Sequence, residues 1–324
     1  MEEIDTEKKN SARFKLLSYD AVDGSARAGL LVDGQVYDLA MTMKAAGWKH
    51  DFQPDSVISV LHDWNLARPQ IDLAVESILS ARANFEKIRR PLAEVKIRAP
   101  TLYPGVLYCA GANYRDHLLE MTGKSAGKKD RQPFFFLKTV AGTIIGPGEA
   151  VRLPSYSSKV DWEAEIALVV GRAGKNIPAE RAMDYVAGFT ILNDLSARDL
   201  TKRDDVPFVF DWIGQKCFDT AAPMGPWITP TDAIPDPNDM AIRLWVNGEL
   251  KQNSNSGQQI FSFNEQIAYL SHHVTLFPGD VIATGTPAGV GMAKGEFLKP
   301  GDQIKIEVEG LGVLVNPVVA DNEE

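Results

Sequence analysis

The chain has 324 residues, 44% of them hydrophobic, and a formal net charge of −9, which suits one large domain or two with a substantial core. That acidity argues against nucleic-acid and anionic-membrane partners, which need a basic face, and no apolar run approaches the ~18 residues of a membrane helix. Cys109 and Cys217 make neither a disulfide framework nor a CxxC metal motif, and the charged start "MEEIDTEKKN" lacks the apolar stretch of a secretory signal. A soluble cytoplasmic protein is the expectation.

Residues 1–12 read as a disordered leader, and residues 13–100 as a small α/β domain. "AGLLVDGQVYDLA" predicts a hairpin, with Asp33-Gly34 in the type I′ position between two apolar alternations. Helical periods follow to Arg90, notably in "IDLAVESILSARANFEKIRR", where Leu73, Ser77, Ala81 and Phe85 share one side. A proline-spaced linker, Pro91 to Pro104, carries the short strand "EVKIRAP" and leads into a larger domain, residues 101–324. There, short strands divided by Gly, Pro, Asn and Asp dominate: "GEAVRLP", "AGFTILND", "AIRLWVNGELKQ", "GDVIATG" and "GDQIKIEVEGLGVLVNPV". Only "PAERAMDY" and "SFNEQIAYLSHH" read as helices. The lack of regular βαβ alternation argues against a doubly wound sheet, and a mostly β fold with some α, a mixed rolled sheet, is expected.

The chemistry concentrates in that larger region. In "GANYRDHLLEM", His117 and Glu120 stand three apart, on one face of a helix, where a carboxylate orients an imidazole as a water-activating base requires. His50, His62, His272 and His273 offer no such pairing. "TGKSAGKKDRQP" then reads as a mobile flap ahead of the apolar "FFFL", and its "TGKS" is no phosphate loop, since Leu118 stands where the Walker pattern needs glycine. "VDWEAEIALVVG" places Asp161, Glu163 and Glu165 at i, i+2 and i+4, hence on one face of a strand whose second half is wholly apolar. Two carboxylates at ~4 Å repel by about 4 kcal/mol at an effective dielectric near 20. Either they face water at an edge, or one is protonated, or a cation lies between them. Oxygen ligands alone point to Mg²⁺ or Mn²⁺, with Ca²⁺ possible. Asp194, where the strand "VAGFTIL" gives way to a loop, can supply a third carboxylate or serve as a helix cap. Lys216 lies among small and apolar residues, where it either stabilises a developing enolate or snorkels to the surface. "TGTPAGVG" has the wrong glycine spacing for a dinucleotide fingerprint and reads as a tight turn offering backbone N–H groups and threonine hydroxyls to an anion.

Seven blocks in this order resemble the fumarylacetoacetate hydrolase family: "NYRDHLLEM", "FFFLKTVAGTIIGPGEAV", "VDWEAEIALVVG", "VAGFTILNDLSARD", "GQKCFDTAAPMGPW", "LWVNGELKQ" and "GDVIATGTPAGVG", together spanning about residues 105–318. The resemblance implies a β-rich roll that dimerises, with Glu163, Glu165 and Asp194 holding Mg²⁺ or Mn²⁺ and Asp161 either behind them or facing solvent. It implies His117 with Glu120 as the water-activating pair on a closing lid, and Lys216 as the stabiliser of a carbanion. It further implies that Gly285 and Thr286 bind the substrate carboxylate, with Arg198 near the substrate. Fumarylacetoacetase itself has an acidic ligand where Ala110 stands and a glutamine where Thr201 stands. Both departures point to relatives acting on smaller acylpyruvates. The function expected is metal-dependent hydrolysis of the C–C bond of a 2,4-dioxo acid such as fumarylpyruvate. The alternatives on the same centre are 2-hydroxydienoate isomerisation, 2-oxo-acid decarboxylation and dehydration of 2-keto-3-deoxy acids. A non-catalytic roll tied by structural Ca²⁺ explains the carboxylates but gives His117, Glu120 and Lys216 no task.

Overall fold

The computed structural model describes residues 13–48, 54–124, 127–129, 131–205, 207 and 209–321. The predicted leader, His50 and parts of the predicted flap lie outside the described residues. Strand outweighs helix, as the turn-punctuated pattern predicts. Among the described residues, twelve strands form one mixed sheet. It runs from Arg89–Pro91 through Gln35–Asp38, Ala26–Val32 and Lys15–Asp20 to Ala222–Pro230. It continues through Val186–Asn193, Ala164–Val170, Val281–Ala283 and Leu107–Gly111, and ends at the edge strand Phe134–Lys138. Lys15–Asp20 pairs antiparallel with Ala222–Pro230, Leu16 opposite Ile228, so the sheet passes without a break from the N-terminal region into the later one.

A second sheet of five strands, ordered Glu249–Asn255, Ala241–Val246, Gln303–Val308, Gly312–Ala320 and Val151–Leu153, packs on one face of the first. The strand Ala164–Val170 shows why. Its side chains alternate, so Ile166 and Leu168 enter a core shared with Ile242, Ile304 and Leu314, while Ala167 and Val169 enter one shared with Leu61, Ile71 and Ile78. A strand covered on both faces reads as an unbroken apolar run.

The hairpin closes as predicted, Val32 opposite Gln35, with φ of 46° at Asp33 and 74° at Gly34, the two positive values a type I′ turn requires. The long helix is Trp64–Ser80, and its buried side differs from the predicted one. Leu73 is 54% exposed, whereas Trp64, Ala67, Ile71, Ala74, Val75 and Ile78 are buried. The pure i+4 series through Leu73 drifts around the helix, but alternating steps of three and four keep a stripe on the core. Burial of Ile71 and of Ile78 contributes about 1.5–3 kcal/mol each. No helix among the described residues is long and apolar enough to cross a membrane.

Candidate active site

The three alternating acids do not share one strand. Val160–Asp161 pairs with Ser196–Ala197, the chain breaks pairing at Trp162 and Glu163, and the long strand begins at Ala164. All three acids are buried, with Asp161 0%, Glu163 6% and Glu165 1% exposed. The solvated-edge explanation, and a solvent-facing Asp161, are therefore excluded. Asp161 turns away from the other two. Its carboxylate accepts the N–H groups of Gly291 at 2.7 Å and Met292 at 3.0 Å and the guanidinium of Arg198 at 2.9 Å.

Glu163 and Glu165 converge instead on Asp194, at the end of the neighbouring strand Val186–Asn193. Ala164 pairs with Asn193, and the Asp194 N–H donates to Glu163 O at 2.9 Å. One oxygen from each of the three carboxylates lies within 4.8 Å of the others, so the set can hold a metal ion. Lys216 ends the short helix Trp212–Lys216 and is 3% exposed; it does not snorkel. Its Nζ lies 2.7 Å from Glu163 Oε2 and 2.9 Å from Asp194 Oδ2. Burial opposes the Glu163 charge, but Lys216 and then Arg198, 2.5 Å from Oε1, hold its carboxyl far below the ordinary range. Burial likewise opposes the Lys216 ammonium, and Asp194 and Glu163 raise its pKa above the usual value.

Glu165 has no hydrogen-bonded cation among the described residues. Its Oε2 accepts the Gly285 N–H at 2.7 Å, and burial followed by the Asp194 and Glu163 charges pushes its carboxyl well above the usual range. Four buried carboxylates (Asp161, Glu163, Glu165, Asp194) thus face two buried cations, Lys138 and Lys216, and the largely covered Arg198. The carboxylate left over is the one that a divalent ion would satisfy. All donors are hard oxygens, so the residues present fit Mg²⁺ or Mn²⁺.

The helix Arg115–Thr122 brings His117 Nδ1 to 3.5 Å from Glu120 Oε2, and Nδ1 is buried without a hydrogen-bond partner. His117 is close enough to Glu163 to contribute to lowering its pKa. Glu120 is held at its other end: both its oxygens accept the Gly289 N–H, at 3.0 and 3.1 Å. Burial opposes its charge, while His117 and that N–H pull its pKa below the usual value.

The Thr284–Gly291 turn does bind anions, but they are the protein's own. Gly285 holds Glu165, Gly289 holds Glu120 and Gly291 holds Asp161. Gly289 sits at φ +101°, and a Cβ there would fall 2.1 Å from Lys251 O. The Thr286 hydroxyl donates to Ala164 O at 2.9 Å and accepts from Gln252 Nε2 at 2.9 Å. The Gly285 N–H and the Thr286 hydroxyl proton, both expected to meet a substrate carboxylate, are engaged inside the protein. Arg198 is engaged likewise, bridging Asp161 and Glu163.

Lys138 and Gln252 belong to this centre without having been singled out from sequence. Lys138 Nζ donates to Asp194 Oδ1 at 2.7 Å and to Leu195 O at 2.9 Å. Gln252, buried, also donates to Pro287 O and accepts the Ala164 N–H, tying the turn to the strand that carries Glu165. Lys138 left one signal: it continues the face of Phe134 and Phe136 on an apolar strand, where an unpaired ammonium is costly.

Fold and site together define a β-roll protein with a buried acidic centre suited to a divalent ion. Residues 106–319 match the family model described as fumarylacetoacetate (FAA) hydrolase C-terminal, and the chain belongs to that family. It is 44% identical over 232 residues to the oxaloacetate tautomerase FAHD2B, mitochondrial, of Homo sapiens, covering 71% of each chain. It superposes on the 2-hydroxyhepta-2,4-diene-1,7-dioate isomerase of Mycobacterium marinum with a TM-score of 0.69 at 30% identity, over 96% of this chain and 100% of that one. The maleylpyruvate hydrolase of Sphingobium sp. SYK-6, in complex with manganese (II) ion and pyruvate, gives a TM-score of 0.72 at 28% identity, over 94% and 99%.

Proposed function

We propose that this protein is a divalent-cation-dependent enzyme that acts on small 2-oxo acids through their enols, with oxaloacetate tautomerisation as its reaction. The observation that carries the chemistry is Glu165, a buried site carboxylate with only a neutral N–H for a partner, beside two carboxylates already paired with cations. The 44% identity to an oxaloacetate tautomerase supports the choice of reaction. Glu163, Glu165 and Asp194 would hold Mg²⁺ or Mn²⁺. Once bound, that ion polarises the 2-oxo group and so acidifies the neighbouring C–H.

His117 takes the proton from C3 as the C2–C3 double bond forms, and the imidazolium returns it through water to the C2 oxygen; the reverse steps restore the ketone. Glu120, fixed on the Gly289 N–H, stands 3.5 Å from the imidazole Nδ1, where its charge favours the protonated ring. Lys216 lends positive charge to the oxygen that gains electron density. Arg198 positions Glu163 and does not meet substrate.

C–C hydrolysis of an acylpyruvate is the second reading. It uses the same His117–Glu120 pair to activate water, and the likeness to maleylpyruvate hydrolase favours it. The working assembly proposed is a homodimer, tested by light scattering, where a monomer at assay concentration removes it. The discriminating experiment follows enol absorbance of oxaloacetate relaxing to equilibrium, with Mg²⁺ or Mn²⁺ and with chelator, alongside pyruvate release from fumarylpyruvate and its relatives. Metal-dependent acceleration without pyruvate supports tautomerisation. Pyruvate release from an acylpyruvate at higher kcat/KM moves the assignment to hydrolysis, and neither activity refutes both.

A further inference from the structure

Each of the three converging carboxylates is tied at one oxygen by a fixed donor. Arg198 Nη2 holds Glu163 Oε1 at 2.5 Å, the Gly285 N–H holds Glu165 Oε2 at 2.7 Å, and Lys138 Nζ holds Asp194 Oδ1 at 2.7 Å. On Glu163 and Asp194 the opposite oxygens share the Lys216 ammonium, at 2.7 and 2.9 Å, so an ion gains them only as Lys216 gives way. Beyond those two carboxylates, among the described residues, Lys216 has a hydrogen bond only to Asp194 O, at 3.4 Å, whereas Lys138 is anchored on Leu195 O at 2.9 Å. Lys138 is the donor with no other task. Its side chain is 0% exposed, its second bond anchors it on Leu195 O, and no step of the enol chemistry uses it.

We propose that Lys138, acting with Arg198 and the Gly285 N–H, sets the ion selectivity of this centre by leaving each carboxylate a single oxygen to offer when Lys216 yields Glu163 Oε2 and Asp194 Oδ2 to the ion. The inference rests on the metal reading of the site. Ca²⁺ takes six to eight oxygens and commonly both oxygens of a carboxylate, whereas Mg²⁺ takes six in near-octahedral geometry, and Mn²⁺ favours the same octahedral oxygen set. Asp194 Oδ1 is engaged by a short charge-assisted bond. Drawing that oxygen onto an ion would press the Lys138 ammonium against a dication, and Lys138, buried and anchored on Leu195, cannot retreat. Three single-oxygen ligands leave half of an octahedron open, room for the two oxygens of a 2-oxo acid and a water. For Ca²⁺ the same set is too sparse. Lys138 is thus a positioning residue, acting through Asp194.

The test is calorimetric titration of the full chain with Mn²⁺ and, separately, Ca²⁺, for the parent, Lys138→Met and Lys138→Arg. The parent is expected to prefer Mn²⁺ over Ca²⁺ by about 100-fold or more, and Lys138→Met to narrow that ratio about tenfold, the scale on which partners of metal ligands act. Lys138→Arg, which keeps a cationic donor, is expected to retain most of the preference. A merely structural role would lower both affinities together and leave their ratio alone. An unchanged ratio in folded Lys138→Met overturns the proposal, as does a parent that binds Ca²⁺ as tightly as Mn²⁺. If Lys138→Met does not fold, a crystal structure of the Mn²⁺-loaded parent decides. Asp194 bonded through Oδ2 alone, with Lys138 still on Oδ1, supports the proposal; Asp194 bonded through both oxygens overturns it. A parent that binds no Mn²⁺ removes this inference and the metal reading together, whereas Mn²⁺ binding without selectivity removes this inference only.

Discussion

Replacing Glu165 with glutamine should stabilise the metal-free protein and abolish its response to metal. Glu165 lies with Glu163 and Asp194 in a set in which one oxygen from each carboxylate lies within 4.8 Å of the others. At that separation a pair of like charges costs about 3.5 kcal/mol at an effective dielectric near 20. Lys216 sits between Glu163 and Asp194, and Arg198 and Lys138 hold their far oxygens, whereas Glu165 receives one neutral N–H. Without an ion it must carry that repulsion or take up a proton, and either way the native state loses free energy. Lys216 offsets part of the repulsion, which leaves about 1–3 kcal/mol to be recovered when the charge is removed. Glutamine keeps a carbonyl oxygen for the Gly285 N–H. At about 2 °C per kcal/mol for a chain of this size, Glu165→Gln in chelator should melt roughly 2–6 °C above the parent. The parent should gain about 2.7 kcal/mol from Mn²⁺ at a hundredfold excess over Kd, and the variant little. Differential scanning calorimetry with chelator and with Mn²⁺ checks both. A variant that melts well below the parent in chelator and still responds to Mn²⁺ would falsify the reasoning.

The same carboxyl predicts the pH dependence of metal binding. Its pKa is raised in the metal-free fold, so below that pKa the ion must displace a proton, and affinity should rise with pH by up to tenfold per unit until the pKa is passed. Calorimetry in two buffers of different ionisation enthalpy should count about one proton released on the acid side, and none released would sink the assignment of Glu165 as a ligand. His117→Ala should lose roughly 10²- to 10⁴-fold in turnover while keeping the Mn²⁺ stabilisation of the parent; a parent-like rate in the tautomerase and hydrolase assays removes His117 from the chemistry. In the long helix, Ile71→Ala should cost about 2–5 kcal/mol of stability in urea unfolding, and Leu73→Ala, on the exposed side, within about 0.5 kcal/mol. The reverse order would contradict the packing described.

The acids of the centre were legible because strand periodicity and position are local properties. Glu163 and Glu165 stand at the head of an apolar strand and Asp194 at the foot of its neighbour, and antiparallel pairing brings such ends together. His117 and Glu120 were legible for the same reason at helical spacing. What the sequence concealed is which cation or N–H each acid meets, since those partners are distant in the chain. Lys138 reaches Asp194 across 56 residues and the Gly291 N–H reaches Asp161 across 130. Nor does alternation announce where it stops. The pairing break at Trp162 and Glu163 swings Asp161 off the face it would share with the other two. On the long helix, leucine at position 73 drew the predicted stripe to the wrong side, because alanines at 67 and 74 complete the buried face and carry little hydrophobic signal of their own.

The glycine spacing of the Thr284–Gly291 turn follows from what it holds. Three carboxylates with different surroundings dock on its N–H groups: Glu165 in the acidic cluster, Glu120 beside His117, and Asp161 beside Arg198. Gly285 must adopt φ +99° where a Cβ would meet Asn113, and Gly289 φ +101° where a Cβ would meet the Lys251 carbonyl, so a side chain at either place would push the turn outward. Any such displacement moves Glu165 and Glu120 together. The spacing between the Glu163–Glu165–Asp194 cluster and the His117–Glu120 pair is therefore tied to one short stretch of backbone. In this arrangement the turn spends its donors on the protein's own carboxylates.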